Sequence, residues 1–371
     1  MAIPSSFKDE LVARSDIVDV VSDYVTLTPK GGSYWGLCPF HGEKTPSFHV
    51  LPDRQLYYCF GCGKGGGVVS FVMEMENLPF LDALRLLAKR AGMEFPEGDL
   101  DESSRRKRNR LLNLNKEAAR FFHSQLHSPV GQPGLDYLQR RGLSKGIMTR
   151  FGLGFAPDSW DSLIRAMAQK GYEKRDLLDA GLAVSNQKGS IYDRFRNRVM
   201  FPIIDLRGDV IGFGGRVLGE GTPKYLNSPD TPVFNKSRNL FALNLAKNTK
   251  LGRIVLTEGY MDTISLYQAG FDCAVASLGT SLTADHAKLL SRFTKEVVIC
   301  YDADSAGVQA ANRAIPMLEK TGLKVKVLRV TGAKDPDEFL RSFGRDAFAR
   351  LETRCRGVRK IGRTHLQDAV P

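Results

Sequence analysis

Four side chains near the N-terminus constrain this chain more than any other feature. Cys38-x-x-His41 and Cys59-x-x-Cys62 form two chelating pairs with 17 residues between them, and Gly61 and Gly63 supply a tight turn around the second pair. Three thiolates and one imidazole complete a tetrahedral zinc shell, each pair giving two ligands from one turn, and a closed shell leaves no open position for chemistry. The spacing therefore predicts a zinc ribbon holding one structural zinc. A redox pair at Cys59 and Cys62 is the competing reading, but it leaves the Cys38/His41 pair unexplained. His49 reads as a surface or strand residue rather than a fifth ligand. Cys273, Cys300 and Cys355 are scattered, which does not suit a disulfide framework; the first two sit in apolar runs and are expected to be inert core thiols.

Around the ligands, Phe40, Lys44, Phe48, Arg54, Tyr57, Tyr58, Phe60 and Lys64 interleave aromatic and basic side chains. Such a surface can stack bases and neutralise phosphates, although in so small a domain some of these aromatics must be core. The whole chain leans the same way: 53 Lys and Arg against 41 Asp and Glu give a formal net charge of +12, which suits a polyanionic partner. Its 371 residues, 42% of them hydrophobic, are enough for two or three domains with real cores. No stretch approaches the roughly 18 apolar residues a bilayer span needs, and the amphipathic start MAIPSSFKDELV is not signal-like, so no membrane partner and a cytoplasmic location are expected.

Beyond the cysteine cluster, apolar residues recur at helical spacing from about Leu78 to Ala91. A polar, charge-blocked stretch with Arg105, Arg106, Lys107, Arg108 and Arg110 follows and reads as a linker leading into a helix. From about Leu111 to Arg238 the pattern is mixed, with Gly-rich hairpin-like strands around Val199 to Phe213. Then short apolar runs at Ile254–Thr257, Cys273–Ser277, Val297–Tyr301 and Val325–Val330 alternate with helical segments, which predicts a parallel sheet. The expected fold class is thus multidomain α/β. The expected division is a zinc-ribbon domain over 1–98, a basic linker over 99–110, a mixed α/β subdomain over 111–238, a parallel-sheet catalytic domain over 239–345 and an atypical basic tail over 346–371.

The acidic residues fall where that sheet would place a ligand. Glu258 follows Ile-Val-Leu-Thr, Asp302 and Asp304 follow Val-Val-Ile-Cys-Tyr, and Asp335 and Asp337 come after the run ending at Val330. Open α/β sheets bind ligands at the carboxyl ends of their strands. Carboxylates gathered there repel one another, and divalent cations with a preference for oxygen, Mg²⁺ or Mn²⁺, resolve the repulsion and can bridge to phosphate. In Ile211-Gly-Phe-Gly-Gly-Arg216, glycines at 212, 214 and 215 are expected to let a nucleic-acid backbone approach and leave Arg216 to meet a phosphate.

These words carry a family resemblance. Cys38-Pro-Phe-His-Gly-Glu-Lys-Thr-Pro-Ser-Phe48 and Tyr58-Cys-Phe-Gly-Cys-Gly-Lys-Gly-Gly resemble the zinc domain of bacterial DnaG primases. Glu258-Gly-Tyr-Met-Asp262, Asp302-Ala-Asp-Ser-Ala-Gly307 and Asp335-Pro-Asp-Glu-Phe339 resemble the TOPRIM fold that those primases share with topoisomerases and some nucleases. The resemblance implies DNA-templated synthesis of short RNA primers by metal-dependent nucleotidyl transfer. Its partners would be single-stranded DNA, ribonucleoside triphosphates and the RNA–DNA hybrid. It further implies catalytic roles for Glu258, Asp302 and Asp304, metal contacts for these and for Asp335 and Asp337, an outer position for Asp262, and template or nucleotide handling by Arg141, Arg216, Lys224 and Lys236.

A TOPRIM nuclease or an inactive single-strand-binding module are the alternatives. The zinc ribbon with the glycine-basic strip argues against the first, and the intact acidic motifs against the second. The resemblance stops near Leu351, and the basic stretch from Thr353 to Pro371 lacks helical periodicity. A shortened or frame-altered end is therefore expected, without the family's domain that binds the replicative helicase.

Overall fold

The computed structural model describes residues 4–355 except 77, 79, 97 and 98, and the chain divides near Arg106 into two compact units. Among the described residues no helix is long and apolar enough to cross a membrane.

The first unit opens with helices α1 (Ser5–Arg14) and α2 (Ile17–Ser22) and closes with α3 (Val68–Glu76) and α4 (Phe80–Arg90). Between them lies an antiparallel sheet in sequential order, β1 (Thr28–Lys30), β2 (Ser33–Gly36), β3 (Phe48–Leu51), β4 (Leu56–Cys59) and β5 (Gly65–Gly66). Strand β3 alternates buried Phe48 and Val50 with half-buried His49 and Leu51, the period-two pattern of a sheet packed on one face. Phe48, Val50, Tyr57, Phe71, Leu84 and Leu87 form the core there, and the expected helix over 78–91 is α4.

The expected linker over 99–110 differs. Helix α5 (Asp99–Leu126) runs through it. No glycine or proline interrupts these residues, and an ion pair between Glu102 and Arg106, four residues apart, supports the exposed start. The later turns bury Leu111, Leu114, Ala118, Phe122 and Leu126 on one face.

The second unit contains two four-stranded sheets and a two-stranded hairpin. An antiparallel sheet in the order β11-β10-β9-β6 combines β6 (Gly154–Ala156), β9 (Arg198–Ile204), β10 (Val210–Val217) and β11 (Tyr225–Asn227). Helices α6 (Gln132–Arg140), α7 (Lys145–Arg150), α8 (Ser162–Ala168) and α9 (Lys174–Asp179) and the hairpin β7 (Ala183–Ser185)–β8 (Ile191–Asp193) belong to the same part of the chain. After α10 (Leu243–Ala246), β12 (Ile254–Thr257), β13 (Ala274–Ala276), β14 (Glu296–Ile299) and β15 (Lys324–Val327) form the expected parallel sheet in the order β13-β12-β14-β15.

Successive residues of β12, β13 and β14 point to opposite cores. Ile254, Leu256, Val297 and Ile299 join the side chains of α12 (Ala284–Ser291) and α13 (Ser305–Glu319), while Val255, Ala274 and Val298 join those of α11 (Tyr260–Gln268) and α14 (Pro336–Arg354). Burial on both faces explains why the strands read as continuous apolar runs. Cys273 and Cys300 are fully buried in the second of these cores, and burial pushes the Cys273 thiol up to about 12, consistent with inert thiols. Helix α14 is interrupted by Gly344 and then docks Phe348 and a bidentate Glu352–Arg253 pair at 2.5 Å. The first part of the expected tail is therefore a packed helix, and residues 356–371 lie outside the described residues.

Asp193, the last residue of β8, is structural. Asp161 precedes α8 but makes no cap bond; instead the carboxylate of Asp193, 1% exposed, accepts from the Leu163 and Ile164 N–H groups at 2.8 and 3.0 Å. Removing it orphans two buried donors. Asp193→Ala should lower unfolding stability by about 2 kcal/mol, seen as a lower urea midpoint at unchanged slope.

Candidate metal centres and nucleic-acid surface

In the first unit, β4 ends on Cys59 and the turn before β5 brings back Cys62, while Cys38 and His41 lie on the loop leaving β2. The ligand atoms of Cys38, His41, Cys59 and Cys62 all fall within 4.8 Å of one another, the one such group of three or more among the described residues. Cys38 Sγ lies 3.8 Å from Cys62 Sγ, and Cys59 Sγ lies 3.8 Å from His41 Nδ1. Metal bonds of about 2.0 to 2.3 Å in a tetrahedron produce edges of this size, so the donor set fits zinc. Burial opposes it, yet the contact with the Ser47 hydroxyl at 3.3 Å and the hydrogen bond from the Cys62 N–H at 3.4 Å hold the Cys59 thiol below its ordinary value.

Glu43 was not evident as part of this site from sequence, where it is only an acid two residues past His41. Its carboxylate accepts from the Cys38 N–H at 2.7 Å, the Ser47 N–H at 3.1 Å and the Ser47 hydroxyl at 2.5 Å, and lies 3.3 Å from His41 Nε2. With Nε2 engaged by a carboxylate, His41 turns Nδ1 toward the thiolates, which fixes its tautomer for a metal.

The aromatics divide between core and surface. Phe48 and Tyr57 are buried, whereas Tyr58 and Phe60 are 43% and 65% exposed. Trp35, absent from the sequence expectations, stands opposite His49 in the β2–β3 register and stacks on it at 4.5 Å, with Phe60 at 6.0 Å and the Lys30 ammonium 5.7 Å from its ring. His49 is thus part of an aromatic platform.

In the second unit, Glu258 follows β12 and Asp302 and Asp304 follow β14. These adjacent strands lead to crossovers on opposite sides, so their carboxyl ends flank the switch point of the sheet. Glu258 Oε1 accepts the Asp302 N–H at 3.1 Å, and Asp304 Oδ1 accepts the Gly307 N–H at 2.8 Å at the start of α13. A side chain at 307 would collide with the Asp302 carbonyl and the Glu258 carboxylate, so glycine permits that approach.

Burial first, then the charges of Glu258, Asp335 and Asp304, push Asp302 up to about 6, with Lys224 opposing the rise. Burial and Asp304 raise Glu258, and burial with Asp335 and Asp302 raises Asp262 to about 8. An acidic crevice so short of positive charge fits divalent cations. Asp335 caps α14, accepting the Glu338 N–H at 2.7 Å. Asp262 is buried behind it and accepts the Asp337 N–H at 3.2 Å. Asp337 departs from expectation. It is 1% exposed, bonded to Ser265 and paired with Arg141.

The basic residues separate into distinct settings. Lys224 is exposed and its field reaches Asp302. The Arg216 guanidinium lies 4.8 Å from the Tyr137 ring and donates to the Tyr225 hydroxyl at 3.2 Å, while Arg141 covers Tyr137 at 5.7 Å. Lys236 opens a separate turn, whose backbone is fixed by Asp230 and His286. The expectation for the glycines is corrected. Gly212, Gly214 and Gly215 are buried, and the space a side chain would fill is taken by Phe234, by Tyr260, and by Phe195 with Arg198 and Met200. They admit the protein's own side chains, not a nucleic-acid backbone.

The Glu43 geometry predicts that Glu43→Ala loses zinc about 10 to 100 times more readily than the unaltered chain, measured with a chromogenic chelator. An unchanged release rate would show that His41 needs no such support.

Residues 3–103 match the family model of the CHC2 zinc finger, 121–247 that of the DNA primase catalytic core, N-terminal domain, and 255–340 a Toprim-like model. The chain is 48% identical over 340 residues to a DNA primase of Clostridium acetobutylicum, an alignment that takes in 91% of this chain and 56% of that protein. It therefore spans little more than half the length of that relative. Among solved structures it resembles the zinc-binding and RNA polymerase domains of the Aquifex aeolicus primase, with 38% identity, a TM-score of 0.63 and coverage of 96% of this chain and 87% of that one. A DnaG primase catalytic domain bound to single-stranded DNA is similar over 68% of this chain and 80% of that one, at 43% identity and a TM-score of 0.63. With likeness of this degree carried from the cysteine cluster through the acidic crevice, the chain belongs to the DnaG primase family.

Proposed function

We propose that this chain synthesises short RNA primers on single-stranded DNA. The observation that carries the reading is the set of acids at the ends of β12 and β14, where the Asp302 N–H binds Glu258 and the charges of Glu258 and Asp304 act on Asp302, in a TOPRIM setting. The ribbon and the Arg216–Tyr137–Arg141 cluster favour a templated polymerase over a nuclease built on the same acids. Glu258, Asp302 and Asp304 are the proposed catalytic carboxylates and cation ligands, with Asp335 contributing from the start of α14. Mg²⁺ or Mn²⁺ bound there would supply Lewis-acid stabilisation of a ribonucleotide 3′-oxygen and of the α-phosphate it attacks, with pyrophosphate leaving.

The side chains provide the rest. Glu258 is oriented by the Asp302 N–H, and Asp304 by the Gly307 N–H, so both are held before any substrate arrives. Lys224, the cation whose field reaches Asp302, is proposed to meet a nucleotide phosphate. Arg216, Arg141 and Lys236 are proposed to hold template or nucleotide phosphates. Phe60 and Tyr58, with half-buried Trp35 stacked beside Phe60, offer ring surface on which template bases can stack.

Labelled ribonucleotides, a single-stranded DNA template and Mg²⁺ or Mn²⁺ test this reading directly. RNA oligomers should form, and Asp304→Ala should reduce them by about 1,000-fold or more at unchanged thermal stability. Cleavage of the template without nucleotides would instead identify a nuclease.

The crevice also predicts a pH signature. In the metal-free chain Asp302 releases its proton near 6, against 3.8 when unfolded, so the folded form binds the proton more tightly. Its stabilising contribution is full below pH 3.8 and is lost as pH rises through 6. A cation takes the place of that proton. The increase in melting temperature caused by Mg²⁺ should therefore be larger at pH 8 than at pH 5 by differential scanning calorimetry.

A further inference from the structure

We infer that Asp337 is a positioning residue for Arg141 and not a cation ligand. The inference rests on the proposed cation site at Glu258, Asp302 and Asp304. Asp337 has no oxygen to spare. Oδ1 accepts the Ser265 hydroxyl from α11 at 2.6 Å, and Oδ2 accepts Arg141 Nη1 and lies 3.4 Å from Arg341 Nε. The side chain is 1% exposed, whereas Asp302 is half-buried and Asp304 exposed. A carboxylate that accepts two hydrogen bonds and lies against two guanidinium groups gains little from a cation and would have to break a buried pair to reach one.

The Arg141 end of the pair is built for presentation. Arg141 follows α6, its Nε donates to the Tyr137 hydroxyl at 3.2 Å, and its guanidinium packs on the Tyr137 ring. Tyr137 also carries Arg216, whose Nη1 donates to Tyr225. One buried carboxylate thus anchors a row of Arg141, Tyr137, Arg216 and Tyr225 drawn from α6, β10 and β11. The row sets two guanidinium groups 5.7 and 4.8 Å from one ring, two cations that can serve phosphates of one strand. An unanchored Arg141 would sample many rotamers and lose affinity to the entropy of ordering them.

Two measurements on the full chain separate the roles: Mn²⁺ binding by electron paramagnetic resonance, and binding of a fluorescent single-stranded oligonucleotide by anisotropy. Asp302→Asn should weaken Mn²⁺ by about tenfold or more, while Asp337→Asn leaves it within about twofold and weakens the oligonucleotide by about tenfold. Arg141→Gln should match Asp337→Asn on the oligonucleotide, and the double variant should be no worse than either single change. Loss of Mn²⁺ in Asp337→Asn equal to that in Asp302→Asn would overturn the inference, as would additive oligonucleotide effects or none from Arg141→Gln. If neither aspartate change alters Mn²⁺ binding, the cation site itself is misassigned, and the Arg141/Asp337 coupling alone decides the positioning role. Should Asp337→Asn fail to fold, Ser265→Ala keeps the charge and removes one anchor; weaker oligonucleotide binding at unchanged Mn²⁺ affinity supports the inference, and no change in either overturns it.

Discussion

Repulsion among carboxylates at the ends of β12 and β14 is the constraint around which the second unit is organised. Glu258 and Asp302 are both half-buried; burial and the charge of Asp304 raise both, and Glu258 raises Asp302 further, so neither is at ease without positive charge. Such a crevice survives folding only if the elements carrying it are held by something stronger. Here the support comes from the two apolar cores on either face of the parallel sheet, each drawing on alternate residues of the same strands. The sheet is the source of stability, and the acids are the place where stability is given up for function. Gly307 shows the compromise at atomic scale. By lacking a side chain it lets the start of α13 close against the Asp302 carbonyl and the Glu258 carboxylate, while its own N–H fixes Asp304.

The two metal centres solve opposite problems. The ribbon gathers four ligand atoms within 4.8 Å, and Glu43 and Ser47 stiffen them with hydrogen bonds from outside. Its shell is closed, so it can only hold the fold. The acidic crevice is looser and open, with Asp304 exposed. An open site can exchange ligands with solvent and with phosphate oxygens, which a nucleotidyl transfer requires.

Sequence revealed those features whose chemistry is local. The zinc ligands announce themselves by pair spacing, and the strands of the parallel sheet by being apolar on both faces. Glu258, Asp302 and Asp304 are legible because they follow those strands within five residues. What sequence concealed depends on partners far along the chain. Asp337 looks like another acid of the cluster until Arg141, 196 residues away, is found against it. Gly212, Gly214 and Gly215 look like an opening for a ligand until Phe234, Tyr260 and Phe195 are seen to fill the space. Helix α5 begins in a stretch so charged that it reads as solvent-exposed linker, and most of its first turns are indeed exposed; only its later apolar stripe declares a helix. Trp35 joins His49 only through strand register, which no local word encodes.

The basic side chains complete the same logic from the other sign of charge. A lysine or arginine on a flexible stem is a poor phosphate ligand until its rotamers are restricted. Lys224 is exposed, but its loop is tied down: buried Arg198 donates through Nη1 to the Pro223 carbonyl at 2.9 Å and to that of Gly215 at 3.1 Å. Burial pulls Arg198 below its ordinary value and Arg196 and Arg194 add to the effect, the mark of a guanidinium spent on structure rather than offered to a ligand. Arg216 is restrained instead by two tyrosines, and Arg141 by a tyrosine and a carboxylate. Positive charge in the strip therefore has two uses, and burial distinguishes them: the arginine sealed among backbone carbonyls shapes the loop, and those stacked at the edge of aromatic rings keep donors available for phosphate.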